Sequence, residues 1–196
     1  MFEEMSEGMR ARMRELEAID ERDRSDGTPT ARRMRQIPPE TGQFLALMAA
    51  LAPDGAHIEI GTSAGYSTMW QALGARVRGR KITTFDVSEL KIQLARETFR
   101  LAGIEDMVDP VLADARARLE RFERIGFCFL DAEKEVYMDC YELIIPRLVP
   151  GGLLIADNII SHNDELQALV EYAAADPRLD ALVVPIAKGE LVCRKK

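Results

Sequence analysis

Apolar residues recur along this chain at two periods, and their alternation predicts the fold. Phe2, Met5, Met9, Met13, Leu16 and Ile19 fall at steps of three and four. Residues 2 to 23 therefore predict a helix with one apolar stripe, with Arg10, Arg12, Arg14, Arg22 and Arg24 on its solvated side. Ser25-Asp26-Gly27-Thr28-Pro29 breaks it. Pro39-Glu40 opens a second helix, because proline suits a first helical turn; Phe44, Leu45, Met48 and Leu51 continue it to Pro53-Asp54-Gly55. Short apolar runs then alternate with helical ones. Strands are expected over 57–61, 82–85, 107–112, 125–130, 153–156, 181–186 and 191–194.

The intervening helices have readable ends. One spans about 66–75. Ser88 caps the next, which carries Ile92, Ala95, Phe99 and Ala102 and stops at Gly103. Another follows Asp114-Ala115. A fourth carries Tyr137, Cys140, Tyr141, Ile144 and Ile145 and is stopped by Pro150-Gly151-Gly152. Ser161-His162-Asn163-Asp164 predicts a capping box for the last, to about Ala175. Repeated strand-helix alternation implies a Rossmann-like, three-layer αβα sandwich. Its seven-stranded sheet is mostly parallel, and the terminal hairpin makes the last strand antiparallel. No linker splits the chain, so 1–196 reads as one domain with 1–36 as a helical arm.

Composition narrows the classes. Hydrophobic residues make up 47% and charged residues 30%, a globular profile. The 33 acids exceed the 26 bases, and the net charge of -7 argues against an extended nucleic-acid or anionic-membrane surface. The 3 cysteines, Cys128, Cys140 and Cys193, form no CxxC pair and predict reduced, buried thiols in a cytoplasmic protein. No apolar run is long enough to span a bilayer, and the acidic N-terminus shows no secretion signal.

The chemistry gathers at strand ends. The stretch 57–67 reads strand, small-residue loop, helix, with Gly61 and Gly65 allowing a ligand to approach the backbone. Backbone N–H groups there favour an electron-rich, nucleoside-like ligand. Glu59, Asp86, Asp114, Asp131, Asp157 and Asn158 all fall at or near strand ends. One such residue alone is an ordinary turn or cap; a set recurring on successive strands points to a site. Asp86 is placed for ribose hydroxyls, and Asp114 and Ala115 beside a base. Asp131, Asp157 and Asn158 form an oxygen-only set suited to Mg²⁺, with Mn²⁺ or Ca²⁺ as alternatives.

Four stretches resemble one family. They are Pro39-Glu40-Thr41-Gly42-Gln43, the run from Glu59 to Ser67, Phe129-Leu130-Asp131-Ala132-Glu133-Lys134, and the run from Pro150 to Asn158. From about Gln36 onward the chain resembles the metal-dependent class I O-methyltransferases that use S-adenosylmethionine (AdoMet), the catechol and caffeoyl-CoA O-methyltransferases and their bacterial relatives. The resemblance implies an AdoMet site lined by Glu59, Gly61, Ser63, Ser67, Asp86, Val87, Asp114, Ala115 and Asp131. It implies a metal on Asp131, Asp157 and Asn158, with Asp131 and Lys134 catalytic and Lys134 the base. The acceptor it implies is a small phenol or catechol. After Asn158 the chain departs from that pattern, because 159–162 leads almost directly into a helix where better-known members carry a longer loop. A more open acceptor site is therefore expected. His162 is read as a helix-start residue without a role, and His57 as structural.

Other readings stand beside this one. An NAD-dependent oxidoreductase shares the strand-loop-helix, but the loop is Gly-x-x-x-Gly and the metal triad goes unexplained. Arg32, Arg33 and Arg35 leave a tRNA hydroxyuridine acceptor open, against the net charge. A non-catalytic AdoMet-binding protein is a third reading. The apolar stripe of the first helix suggests a homodimer.

Overall fold

The computed structural model describes residues 1–196, apart from the side chain of Ala31. Seven strands form one sheet: β1 (Ala56–Ile60), β2 (Ile82–Asp86), β3 (Val108–Leu112), β4 (Ile125–Leu130), β5 (Leu148–Ala156), β6 (Leu179–Val184) and β7 (Glu190–Lys195). Their order is β3-β2-β1-β4-β5-β7-β6, and β7 alone runs antiparallel to its neighbours. The order reverses between β1 and β4, so the loops after those strands open a crevice.

Six α-helices cover the sheet: α1 (Glu7–Asp23), α2 (Pro39–Leu51), α3 (Tyr66–Val77), α4 (Glu89–Ala102), α5 (Tyr137–Ile144) and α6 (Asn163–Ala175). Alternate residues of β4 feed opposite faces. Phe127 and Phe129 pack with Met9, Leu45, Met69 and Phe99 of α1 to α4. Cys128 and Leu130 pack with Tyr141 and Ile144 of α5 and Leu166 and Leu169 of α6. All three cysteines are free and buried. No helix among the described residues is long and apolar enough to cross a membrane.

Several element ends differ from the sequence reading. The first helix starts at Glu7 rather than residue 2, because Ser6 caps it by accepting the Met9 N–H at 3.1 Å. Its stripe is buried within the chain: Met9, Met13 and Leu16 join the core, and Ser6 Oγ donates to Ala102 O of α4. The stripe therefore offers no free apolar face to a partner subunit. Arg12 is buried rather than solvated, its Nε donating to Thr98 Oγ1 at 3.1 Å.

Two short 3₁₀ turns, Ala115–Ala117 and Leu119–Arg121, replace the helix expected after Asp114. Asp114 Oδ1 accepts the Arg116 N–H, and a 3₁₀ turn advances about 2.0 Å per residue against about 1.5 Å for an α-helix, which suits a short link crossing the sheet. α5 ends at Ile144, before Pro146 removes a helical N–H. Pro150-Gly151-Gly152 lies inside β5 instead of stopping a helix, beside a register shift opposite Gly126. The expected capping box at α6 is absent: His162 occupies the cap position without a side-chain bond to the helix, and Ser161 Oγ reaches Asn158 O and His162 Nδ1.

Candidate active site

The crevice above β1 and β4 holds a cavity of about 440 Å³. Gly61 makes it passable. Its φ is +104°, and a Cβ there would overlap the Asp131 carbonyl oxygen of the neighbouring loop. Ser63 follows at φ +47°, held by two bonds. Its N–H donates to Asp86 Oδ2 at 2.9 Å, and its Oγ donates to Met34 O at 2.8 Å. Asp86 Oδ1 accepts the Ser88 N–H at 2.9 Å. The carboxylate at the tip of β2 is thus fixed by two backbone donors and keeps lone pairs facing the cavity.

Gly61, Ser63, Ser67, Asp86, Val87, Asp114, Ala115 and Asp131 all line this space. Asp114 does so with its carboxylate already forked onto Arg116, which holds its pKa below the ordinary carboxylate range. Glu59 lies beneath the cavity, not along it. Fully buried, it accepts from Ser67, Thr68, Gln71 and Thr84. Burial pushes its pKa up to about 6 against those four donors. Its role is to clamp the start of α3 to β1 and β2. Beside it His57, buried against Phe127, bonds Gln71 Oε1 through Nε2 at 3.0 Å.

A second cavity of about 280 Å³ opens beside the first, and Asp131 borders both. At this junction the expected metal residues meet. Asn158 sits at φ +70°, a left-handed conformation that asparagine tolerates, and its Nδ2 donates to Asp131 Oδ1 at 2.8 Å and Asp157 Oδ2 at 3.0 Å. Asp157 and Asn158 are buried, whereas 21% of the Asp131 side chain is exposed toward the cavities. Desolvation first, then the Asp157 charge, raises the Asp131 pKa. Among the described residues no three His, Cys, Asp or Glu side chains form a metal-ligand cluster. The donor chemistry nevertheless fits a hard cation: two carboxylates converge on one amide, and rotating that amide by half a turn presents Oδ1 to the same point.

Lys134 stands next to this group. Its Nζ is 3.6 Å from Asp131 Oδ1 and donates to Ala132 O and Tyr137 Oη, each at 2.8 Å. Tyr137 Oη in turn donates to Asp157 O at 3.2 Å. Burial lowers the lysine pKa, and Asp131 and Asp157 oppose the shift.

Sequence reasoning missed three residues here. Gln36 lines the larger cavity with both amide atoms buried and unpartnered. Glu190, fully buried at the start of β7, takes a 3.4 Å bond from Thr41 Oγ1 and lies against Asp157; burial and then Asp157 raise its pKa. Lys188 lines the smaller cavity. Lys188 and Glu190 sit in a short polar link that reads as an exposed turn, so only the folded chain reveals their positions. His162, given no role from sequence, also lines the smaller cavity.

A family model described as O-methyltransferase matches residues 9–196. This chain belongs to the O-methyltransferase family. It is 28% identical to tricin synthase 2 of Oryza sativa subsp. japonica over 183 residues, covering 81% of this chain but only 62% of that protein. It is 28% identical to caffeoyl-CoA O-methyltransferase 2 of Zea mays, covering 80% of this chain and 68% of the relative. The fold matches that of a Bacillus cereus O-methyltransferase solved in complex with SAH, with a TM-score of 0.79, 24% identity and coverage of 95% and 91% of the two chains. An SAH-bound Podospora anserina methyltransferase gives a TM-score of 0.78 at 22% identity, over 97% and 88%.

Proposed function

We propose that this chain is an AdoMet-dependent O-methyltransferase whose acceptor is a small catechol-like phenol held on a divalent cation. The observation that carries the reading is the position of Asp131. It borders both the larger cavity, where Asp86 and the 61–67 loop suit a nucleoside, and the smaller one, where Asn158 joins it to Asp157. A methyl donor and an acceptor can therefore meet at one carboxylate.

Each residue has a physical task. Asp86 receives ribose hydroxyls on its free lone pairs, and the unpartnered Gln36 amide meets the polar end of the donor. Asp131, Asp157 and the Asn158 amide oxygen would hold the cation. That cation, when bound, stabilises the oxyanion of a phenol whose ordinary pKa is about 10. Lys134 is poised to take the released proton, because burial lowers its pKa toward the working range. Holding both reactants in register supplies roughly 7–11 kcal/mol of the barrier.

The larger cavity and Asp86 also speak to the alternative donors: calorimetry should show AdoMet binding and no NAD binding. Methyl transfer to catechol should then be abolished by EDTA and by Asp157→Ala, with AdoMet binding retained. Full activity in EDTA would remove the cation from the mechanism and leave the transfer itself standing. Two of the three arginines of the basic segment, Arg33 and Arg35, line the cavities, which favours a small acceptor over a tRNA surface.

A further inference from the structure

The smaller cavity has an unusual wall for a site that receives a phenol. Every described residue lining it is polar or charged, and several are basic. A neutral aromatic acceptor would leave most of these groups without a partner, which is unfavourable once water is displaced.

The wall carries the cations Arg24, Arg33, Arg35 and Lys188 against the carboxylates Asp20, Asp23 and Asp131, one positive charge in excess. Asp20 is engaged by Arg24 at 2.7 Å and by the Gln36 N–H; Asp23 accepts the Met34 N–H at 2.7 Å through Oδ2 and leaves its buried Oδ1 without a partner. Lys188 Nζ has no hydrogen-bond or ion-pair partner among the described residues. Arg33 spends only Nε, on Thr28 O, and Arg35 only one terminal nitrogen, on Glu133. The remaining guanidinium and ammonium donors border the same space as Asp131 and Asn158. A guanidinium also offers a flat face on which an aromatic ring can stack while its edge binds an anion.

We propose that the natural acceptor carries an anionic group, a carboxylate or a phosphate, beside its reactive hydroxyls, and that Lys188, with Arg33 and Arg35, recognises it. The inference rests on the methyl-transfer reading above and names the substrate class of the same site. Lys188 takes the leading role because its Nζ makes no hydrogen bond or ion pair among the described residues, while its charge bears on Asp131 across the same cavity. It is held by its own backbone: Lys188 O accepts the Ile160 and Ser161 N–H groups at 2.8 and 3.1 Å, fixing the β6–β7 link over the cavity.

The test compares three acceptors with the metal-loaded full chain: 3,4-dihydroxybenzoate, 3,4-dihydroxyphenylphosphonate and the uncharged methyl 3,4-dihydroxybenzoate. The expected result is a kcat/KM at least tenfold higher for the charged acceptors, expressed in KM. Lys188→Met should lower the ratio of kcat/KM for the charged acceptors to that for the ester by tenfold or more, and Lys188→Arg should keep the ratio. An unchanged melting temperature shows that the variants fold. A preference for only one of the two anions supports the inference and identifies its source. Equal use of ester and acids by the unsubstituted chain, or an equal loss on all three in Lys188→Met, overturns it. Transfer to none of the three, with AdoMet bound, refutes the catechol reading and the inference with it.

Discussion

The carboxyl group of Glu190 lies against that of Asp157, and both side chains are sealed from solvent. Burial first and the Asp157 charge second raise the Glu190 pKa to about 10, so at neutral pH Glu190 is protonated and adds no negative potential behind the proposed cation site. Glu190→Gln keeps both the shape and the neutral state. Titration of Mg²⁺ or Mn²⁺ into the protein and the variant by calorimetry should give dissociation constants within about threefold of each other. A loss of tenfold or more in the variant would show that Glu190 is ionised against the cation.

His57 sets an acid limit on stability. Burial depresses its pKa to about 4, against an ordinary 6.5. Between these values the unfolded chain binds a proton that the folded chain does not, so stability falls as pH drops through that window. The slope is about 1.4 kcal/mol per pH unit, giving a loss of roughly 3 kcal/mol from pH 6.5 to 4. Chemical denaturation of the protein and of His57→Gln at a series of pH values checks this. The variant should show the shallower acid loss.

Gly61→Ala tests the close approach of two loops. The new methyl would overlap the Asp131 carbonyl, on a backbone at φ +104°. The expected cost is on the order of 3 kcal/mol of stability, with AdoMet affinity lowered by tenfold or more. Thermal melting and calorimetry report the two effects separately.

Lys134→Met should reduce kcat by about 10² to 10⁴ at neutral pH while leaving AdoMet affinity intact, since the lysine does not line the larger cavity. In the unsubstituted chain the rate should fall as pH drops and the lysine becomes charged. That limb should be missing in the variant, which a pH–rate profile reveals.

Sequence patterning carried the sheet well, for a physical reason. The central strand β4 is buried along its whole length, so it reads as an apolar run, and a polar residue closes the strand ends at the crevice: Asp86, Asp131, Asp157. Element ends were harder where local chemistry competed. Ser6 cut the first helix short, and Asp114 turned its own backbone into a 3₁₀ segment. The site was legible as a list of acids but not as a geometry. Nothing in one dimension separates Glu59, folded under the cavity, from Asp86, which faces it. Gln36, Lys188 and Glu190 lie in stretches that read as linkers, and only the antiparallel pairing of β7 with β5 and the path of the arm bring them to Asp157 and the cavities.

Arg33 and Arg35 border both cavities. The chain between them is pinned to the cavity floor by Lys91 Nζ on Arg33 O at 2.6 Å and by Ser63 Oγ on Met34 O. A ligand in either cavity therefore borders the same few residues. Any coupling that passes through them must be symmetric: a donor that changed acceptor affinity by some factor would have its own affinity changed by that same factor, so the two dissociation constants would have to be measured together.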